Sequence, residues 1–547
     1  MSVAGGGTLS LADTTALNVP VVFDDVTLGA VSSAELSAAV TVNSGGLCLD
    51  PGTGTTLTLA GAVDGTGPVT KRGASVAVLS GGFSGTGPRV IQNGTLTLNS
   101  LTDGGEIILG EGRLKYVGAP VVAAKGLTIQ TGDPQLGGTF ECDTDVTLTG
   151  TVTAQNGVFI KTGTGTLTLA GEGENTLGVG EGSWDYLAPV NLGAYGESPT
   201  QGLRTFNVLN GKVVLGAAGQ TNWLPNTVVI GGQTTTLPGA ETAGHLEIRG
   251  GYTRVGNILT VGRDNGSEVT APGGLVSSVR IYDGRVELNG LWLASKLSSM
   301  TTITARPLFE MNGGEFSTAI LYGGSSGASR PRFVFNGGLA TVTGWAADAF
   351  RLAYGADVES ELVVAGGTLR VPNTKIRLAE NAATAKGRLR LSSGRLVTRG
   401  IESVGAGVGE VLFDGGVLEA CQSMMLTNLS VAAVGAGGCV VEVPAGMTVT
   451  VTQPLTHDDG LGGTPDGGVA KLGGGELVLV GAQTYTGPTV VSDGTLRVAG
   501  TLAVADLTLM GGTTLSLVDG VGQTLTPSTF VADGARVVLE IGANGLT

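Results

Sequence analysis

Only two histidines, His245 and His457, occur in the 547 residues of the chain, so imidazole chemistry has little material to work with. They do not have the local spacing of a zinc site or of a histidine-rich catalytic cluster. We expect His245 to open a strand at the surface or at a corner. His457 stands in THDDGLGGTPDGG with Asp458, Asp459 and Asp466, whose oxygens could bind a cation. The segment follows neither the EF-hand order nor a calcium-binding nonapeptide repeat, so we expect a solvated loop and no metal.

One serine has the sequence context of a hydrolase nucleophile. Ser325 lies in GGSSG, which matches the pattern GxSxG between Gly323 and Gly327. A nucleophile elbow needs a strand, a sharp turn and then a helix. No helical pattern follows Ser325, and a chain so rich in glycine produces this match by chance. We therefore expect no nucleophile here, and the chain has no fingerprint for a cofactor either.

Carboxylates that lie near basic residues are the pattern of a polysaccharide lyase or hydrolase. The candidates are Asp283, Glu287 and Glu310, with Arg280 and Arg285 close to them in sequence. They fall on alternating strand positions, where charges normally mark the solvent face. We therefore expect no catalytic residue among them.

Tryptophans could stack on sugar rings through their flat, amphipathic faces. The chain has four: Trp184, Trp223, Trp292 and Trp345. Scattered tryptophans are more often core residues or plugs at corners. Trp184 differs, because it lies with Tyr186 in a segment that breaks the rhythm of the surrounding sequence. We predict that Trp184 and Tyr186 contact a glycan.

The four cysteines make no CxxC pair, so neither a zinc site nor a dense disulfide framework is indicated. They are Cys48, Cys142, Cys421 and Cys439. We expect each to be a small buried apolar residue. Whether Cys421 and Cys439 pair stays open, since stacked turns of the chain could bring them together.

The composition excludes several classes of protein. Glycine supplies 96 residues, charged residues only 14% and aromatic residues 4%, whereas the apolar fraction is 41%. Such a chain has enough apolar surface to fold, so disorder is excluded. The formal net charge of -15 lacks the basic footprint of a protein that binds nucleic acid, so we expect no nucleic-acid partner.

The elements that must position these residues come from an internal repeat. Between about 245 and 445, a short alternating strand, a glycine turn and a second alternating strand recur, as in RFVFNGGLATV and ELVVAGGTLRV, and a third short strand follows. The repeat length is roughly 27.5 residues. Short alternating strands pair poorly alone but stack well on their equivalents, with glycine at the corners. We therefore expect an all-β fold, a right-handed parallel β-helix (β-solenoid) with about three strands per coil.

We predict three blocks along the chain. Residues 1–200 form an N-terminal β-helix block with an irregular insert near 173–202, and residues 201–445 form the regular repeats. Residues 446–547 form a C-terminal β-helix block and cap. The uncharged stretch from Met424 to Val441 contains Asn428 and several glycines, so we expect it to be part of a repeat, not a membrane span.

The segment Lys471 to Gly500 (KLGGGELVLVGAQTYTGPTVVSDGTLRVAG) resembles the autotransporter-associated β-strand repeat of bacterial passenger domains. Weaker copies lie at Thr70 to Leu98 and at Lys161 to Ala170. The middle block resembles a second repeat, which type V secreted proteins and PEP-CTERM proteins share. The resemblance implies a secreted or surface-displayed β-helix and is specific for architecture, not for activity.

We therefore expect a non-enzymatic structural or adhesive rod that is extracellular or on a bacterial cell surface. We expect no signal peptide and no membrane anchor in these residues, and no insertion into a membrane. The partners would be surface glycans or other cell-surface proteins, and the chain could associate with itself. The alternative function is a β-helix that binds or cleaves polysaccharides, which would need exposed coplanar aromatics or a groove of clustered carboxylates and basic residues.

Overall fold

A computed structural model of the chain describes residues 1–12, 19–102, 105–130, 137–155, 157–171, 173–176, 205–216, 218–232, 243–263, 276–294, 305–325, 328–380, 382–517 and 523–539. These residues contain no α-helix, and one short 3-10 helix spans Asp459–Leu461. The chain forms two compact units. The first consists of Met1–Gly232, Thr242–Leu259 and Gly284–Val286, and the second of Gln233–Glu241, Thr260–Asp283 and Glu287–Thr547.

The first unit is built from short strands whose side chains alternate between the interior and the outer surface. Its strands are β1 Ser2–Ala4, β2 Thr8–Leu11, β3 Val21–Asp24, β4 Val26–Ala30, β5 Ala34–Leu36, β6 Val40–Val42, β7 Leu47–Leu49, β8 Thr56–Leu59, β9 Val63–Gly65, β10 Val69–Lys71, β11 Val76–Leu79, β12 Arg89–Ile91, β13 Thr95–Leu98, β14 Ile107–Leu109, β15 Arg113–Tyr116, β16 Val121–Ala123, β17 Leu127–Ile129, β18 Gly137–Cys142, β19 Val146–Leu148, β20 Val152–Ala154, β21 Val158–Thr162, β22 Thr166–Leu169, β23 Glu174–Thr176, β24 Thr205–Val208, β25 Gly211–Leu215, β26 Thr221–Leu224, β27 Thr227–Gly232, β28 Gly244–Ile248 and β29 Tyr252–Val255.

Each of these strands pairs in parallel with an equivalent strand of a neighbouring coil, which is the pattern of a parallel β-helix. One face runs through β7, β10, β12, β14, β17 and β20, a second through β8, β11, β13, β15, β18 and β21, and a third through β16, β19, β22, β25 and β28. The register aligns an interior column of apolar side chains, all fully buried: Leu57, Ala77, Leu96, Leu114 and Phe140. Burial of such a column is the main favourable contribution to the stability of the unit.

The strand β30 Ile258–Arg263 and the strand β32 Arg285–Leu293 each contain a boundary between the two units. The other strands of the second unit are β31 Ser278–Ile281, β33 Leu308–Met311, β34 Glu315–Gly323, β35 Arg332–Phe335, β36 Leu339–Val342, β37 Phe350–Leu352, β38 Glu359–Val364, β39 Thr368–Val371, β40 Ile376–Leu378, β41 Lys386–Leu391, β42 Arg395–Thr398, β43 Ile401–Ser403, β44 Val408–Phe413, β45 Val417–Ala420, β46 Met424–Thr427, β47 Val431–Val434, β48 Cys439–Glu442, β49 Thr448–Val451, β50 Thr456–His457, β51 Val469–Leu472, β52 Glu476–Gln483, β53 Thr489–Val491, β54 Thr495–Leu502, β55 Asp506–Leu509, β56 Thr514–Leu517, β57 Thr524–Leu525, β58 Thr529–Ala532 and β59 Arg536–Leu539.

The second unit is also a parallel β-helix. Its faces run through β33, β35, β38, β41, β44 and β47, through β36, β39, β42, β45 and β48, and through β37, β40, β43, β46 and β49. Interior columns again follow the register, as in Phe309, Phe333, Leu362 and Leu389. The expected all-β parallel β-helix is confirmed in both units. The coils from β36 to β50 contain three strands each, as expected, whereas the coils that begin at β10 and at β12 contain two.

Glycine shapes the turns of this unit, as the sequence pattern predicts. Gly338 lies in the left-handed region at φ +75°, and a β-carbon there would lie 2.4 Å from the carbonyl oxygen of Gly314. Only glycine allows both the backbone angle and this close stacking of one turn on the turn of the previous coil.

The uncharged stretch from Met424 to Val441 forms β46, β47 and most of β48, so it is part of the repeat as expected. Across the described part of the chain, no helix has the length and apolar character needed to cross a membrane.

Candidate binding surface

The predicted glycan contacts, Trp184 and Tyr186, lie outside the described residues. Their role stays a prediction. The other three tryptophans have three different environments. Trp223 is buried and meets the ring of Tyr252 edge-on, and Trp292 stacks on Tyr322 at 5.7 Å between ring centres. Trp345, in contrast, is 79% exposed.

The candidate carboxylates do not gather in one place. Glu310 receives a hydrogen bond from Arg280 at 2.8 Å (Nε to Oε2) and another from Asn336 at 3.0 Å (Nδ2 to Oε1), both from neighbouring coils. Asp283 is exposed in the turn after β31, and Glu287 is half-buried in β32. Glu310 is therefore part of a cross-strand ion pair on the outer surface, which is the ordinary role of charges at alternating positions.

A stripe of ion pairs continues along the same face of the second unit. Arginine and glutamate alternate from coil to coil because the register places Arg332 opposite Glu361, Glu361 opposite Arg388, and Arg388 opposite Glu410. The side chains pair at 2.6 Å between Arg332 and Glu361 and at 2.6 Å between Arg388 and Glu410. Exposed pairs of this kind contribute about 0 to 1 kcal/mol each. We name these four residues the charge ladder.

Part of the charge ladder borders a shallow depression of about 190 Å³. Its walls are Arg330, Pro331, Arg332, Glu359, Ser360, Glu361, Lys386 and Arg388. Arg330 pairs with Glu359 at 3.4 Å, and Lys386 pairs with Glu410 at 3.1 Å. Four basic and two acidic side chains thus line the depression. Because each of the four basic side chains is paired with a glutamate, Glu410 among them, little unpaired charge is left to favour a ligand of one charge.

The loop that contains His457 is built around a buried carboxylate. Asp466 is 4% exposed and accepts hydrogen bonds from the backbone amides of Thr486, Gly487 and Gly468 at 2.7 to 2.9 Å. His457 contacts Asp466 through Nδ1 at 2.9 Å and the carbonyl oxygen of Gly462 through Nε2 at 3.1 Å.

These contacts set the ionisation of both groups. The hydrogen bond to Asp466 raises the pKa of His457 above its ordinary 6.5. Burial alone would raise the pKa of Asp466, but the hydrogen bonds from Thr486, His457 and the glycine amides hold it below its usual 3.8. The expected solvated loop is therefore correct for most of the segment and wrong for Asp466, whose buried carboxylate organises the turn.

The remaining candidate residues are His245, Ser325 and the cysteines. His245 is half-buried in β28. Ser325 lies two residues after the end of β34, with β35 as the next described element, and Gly327 lies outside the described residues. Cys421 and Cys439 are both free thiols, so they do not form a disulfide, and burial raises the pKa of Cys439. Among the residues that the structure places, no group of three or more His, Cys, Asp or Glu side chains could hold a metal ion.

The sequence did not lead us to predict that three lysines are buried. Lys71, Lys161 and Lys471 are fully buried, each at the end of a strand before a glycine turn. The ammonium group of Lys471 donates to the carbonyl oxygens of Leu472, Gly473 and Asp493 at 2.5 to 3.1 Å. Lys71 and Lys161 donate in the same way to the two residues that follow them.

A lysine in this position stabilises the corner of the coil, because its amine donates several hydrogen bonds to backbone carbonyls of the turn. Burial lowers the pKa of all three lysines, and that of Lys471 falls to about 8. Strand alternation could have predicted the burial of Lys71. Val69 and Lys71 are two residues apart in β10, so their side chains point to the same face, and Val69 points inward.

These three lysines lie in segments that match a known family. A family described as the passenger-associated-transport repeat matches residues 69–98, 159–177 and 469–498. Each match has one of the buried lysines at its third residue. The matches coincide with the three copies identified from the sequence.

A curated relative is the Adhesin BmaC autotransporter of Brucella suis biovar 1 (strain 1330), which is 28% identical over 328 residues. The alignment covers 56% of this chain but 9% of the relative, so the chain spans less than a tenth of that protein. No solved structure gives a significant match. The chain therefore has three segments that match the passenger-associated-transport repeat within a parallel β-helix, and it is similar to an autotransporter adhesin over 328 residues.

Proposed function

We propose that the chain is a secreted or cell-surface β-helix that acts as a structural and adhesive element and has no enzymatic activity. The observation that carries this proposal is the similarity to an autotransporter adhesin over 328 residues. Its partners would be surface glycans, cell-surface proteins or further copies of the chain.

The side-chain chemistry of the outer surface supports an adhesive role over a catalytic one. Glu310, the best placed of the candidate carboxylates, is held by Arg280 and Asn336. A general acid or a nucleophile needs a second carboxylate at a defined distance across a substrate groove. Glu361 and Glu410 are instead paired with arginines on the neighbouring coils.

Adhesion can be measured with the full chain coated on fluorescent beads. We expect these beads to attach to cultured epithelial cells, or to one another, more than albumin-coated beads do. Beads that carry the same chain after heat denaturation are the matched control, because they keep the composition and lose the surface. Attachment no greater than that of the albumin beads would contradict the adhesive role.

The absence of catalysis needs its own assay. The purified chain is incubated with acidic and neutral polysaccharides, with and without Ca²⁺, while reducing ends and unsaturated-uronate absorbance are followed. We expect no turnover. Turnover that disappears in Asp283→Ala, Glu287→Ala or Glu310→Ala would replace the proposal with a polysaccharide-cleaving enzyme.

A further inference from the structure

Trp345 is the most exposed large apolar side chain in the described part of the chain, at 79%. Burial of a tryptophan normally contributes a large share of local stability. Trp223 and Trp292 follow that rule, since each packs against a tyrosine of a neighbouring coil. Trp345 makes no such contribution to the core, so its exposure needs another explanation.

The corner that carries Trp345 is longer than the same corner in the previous coil. Strand β34 pairs with β36 up to Thr318 and with β37 from Leu321 onward, so only Ala319 and Ile320 turn that corner. In the next coil the chain leaves β36 after Val342 and enters β37 at Phe350. The additional residues project outward and bring Trp345 with them.

Hydrogen bonds to the coils on both sides hold this corner in place. On one side, the amide of Gly344 donates to the carbonyl oxygen of Ala319 at 3.1 Å. On the other side, the Asn373 amide donates to the carbonyl oxygen of Thr343 at 2.9 Å, and the Thr374 hydroxyl donates to that of Ala346 at 2.9 Å.

The backbone of the corner is closely packed as well. A β-carbon at Gly344 would lie 2.2 Å from the carbonyl oxygen of Ala319, so glycine is required for this approach. The indole is therefore presented by a fixed backbone, which lowers the entropy that binding a ligand would cost.

Polar groups occur on the same corner and on the strand that follows it. Asp348 accepts a hydrogen bond from Arg351 and is partly exposed. The guanidinium of Arg351 lies 4.6 Å from the ring centre of Tyr354 and 5.5 Å from that of Tyr322. The Tyr354 ring is 36% exposed. A second aromatic face and a carboxylate thus follow Trp345 within one coil.

We propose that the Trp345 corner is a binding site for a neutral glycan, whose pyranose ring stacks on the indole. This inference rests on the proposed adhesive function and assigns the ligand class. The C–H face of a sugar packs on an aromatic ring, and its hydroxyls donate to a carboxylate such as Asp348. The net charge of -15 disfavours acidic polysaccharides.

An apolar peptide is a poorer fit to this corner. Peptide-binding sites and protein interfaces need a contiguous apolar patch, usually with several aromatic or aliphatic anchors. The residues on either side of Trp345 in the chain are small or polar: Thr343, Gly344, Ala346, Ala347 and Asp348. One flat apolar face with polar neighbours matches a saccharide.

The test uses the full chain and neutral hexasaccharides built from glucose, galactose, mannose or N-acetylglucosamine, with polygalacturonate as the acidic comparison. Binding is measured by calorimetry and by the fluorescence of the exposed indole. We expect at least one neutral hexasaccharide to bind, with an affinity that falls about tenfold or more in Trp345→Ala. Trp345→Phe should keep part of the affinity, because it keeps a flat ring.

Phe530→Ala is the matched control, because Phe530 is another exposed aromatic residue of the second unit, 46% exposed, and lies far along the chain from Trp345. The Phe530→Ala variant should bind the neutral hexasaccharide with the same affinity as the parent chain. Circular dichroism should show that the Trp345 variants fold, since the side chain contributes little to the core. Trp345→Gln provides a second variant in case Trp345→Ala does not fold.

Two results would overturn the inference: no binding of any neutral hexasaccharide at about 10 mM, or equal binding by the parent and by both Trp345→Ala and Trp345→Gln. Bead adhesion separates this inference from the proposed function. Adhesion that persists in all Trp345 variants without saccharide binding would keep the adhesive role and remove the glycan site. Saccharide binding without bead adhesion would keep the site and remove the adhesive role.

Discussion

At the scale of single residues, the buried lysines are the least expected feature. A fully buried amine is tolerated because backbone carbonyl oxygens accept its hydrogen bonds, as those of Leu472 and Gly473 and that of Asp493 on the next coil do for Lys471. Removal of such a donor takes away several hydrogen bonds to backbone carbonyls, which costs about 1 to 3 kcal/mol. We therefore expect Lys471→Met to lower the free energy of unfolding by about that amount at neutral pH.

The pH dependence of this difference distinguishes the amine from simple packing. The pKa of Lys471 is about 8 when folded and 10.5 in its ordinary state, so between these values the unfolded chain binds more protons than the folded chain. Stability that depends on this group therefore rises with pH across that window. Chemical denaturation at several pH values should show that the gap between the parent and Lys471→Met widens from pH 8 to pH 10.5. If the difference in stability between the parent and Lys471→Met narrows over this pH range, the lowered pKa of Lys471 is contradicted.

His457 gives the opposite pH dependence. Because Asp466 raises its folded pKa above 6.5, its contribution to stability is fully present below pH 6.5 and is lost as the pH rises through the folded pKa. NMR titration can follow both histidines, and His245→Gln identifies the signal of His457. We expect a pKa above 6.5 that falls in Asp466→Asn. An unchanged pKa in that variant would show that another group controls the imidazole.

At the scale of strands and coils, the inward and outward positions of β39 provide a direct test. Leu369 is fully buried, as its sequence parity predicts, and Arg370 is exposed. Leu369→Asp places an unpaired charge in the core, which should cost about 3 kcal/mol or more, whereas Arg370→Asp should change stability by less than about 0.5 kcal/mol. Hydrogen exchange should confine the loss of protection to neighbouring coils. A larger loss of stability in Arg370→Asp than in Leu369→Asp would mean that the two faces are reversed, and equal losses would contradict the assignment of inward and outward positions.

Strand alternation and turn glycines predicted the fold well, because each coil repeats the same physical requirement. Val364 and Leu369 could be placed inside from period two alone, and both are fully buried. Burial of Lys71 was missed because a charged residue in an alternating strand normally points outward, and its exception depends on turn carbonyls that only the folded corner brings together.

The surface features depend on register between coils, which a single strand does not encode. Arg332 and Glu361 lie 29 residues apart in the chain and meet only because β35 and β38 stack. The exposure of Trp345 likewise depends on how many residues turn one corner relative to the corner before it. The sequence identified the kinds of residue that could bind a sugar, but which of the described tryptophans is exposed became clear only from the coil.

At the scale of the whole molecule, the charge balance predicts weak affinity for polyanions. The net charge is -15, and the arginines of the charge ladder are paired with glutamates. We expect the chain to pass through a heparin column at about 0.15 M salt without retention. The double variant Glu361→Lys and Glu410→Lys frees Arg332 and Arg388 and should be retained. Retention of the parent chain would show that a basic surface exists elsewhere.

The unequal corners have a consequence for how such a chain changes over generations. Two residues turn the corner inside β34, a longer segment turns it between β36 and β37, and yet the strands on both sides keep their pairing. Insertions at a corner therefore leave the hydrogen-bonded ladder intact and escape the selection that removes changes which destabilise a core. A lineage can lengthen, shorten or exchange its displayed corners while the framework that supports them stays constant, so recognition can diversify at a rate that the scaffold does not limit.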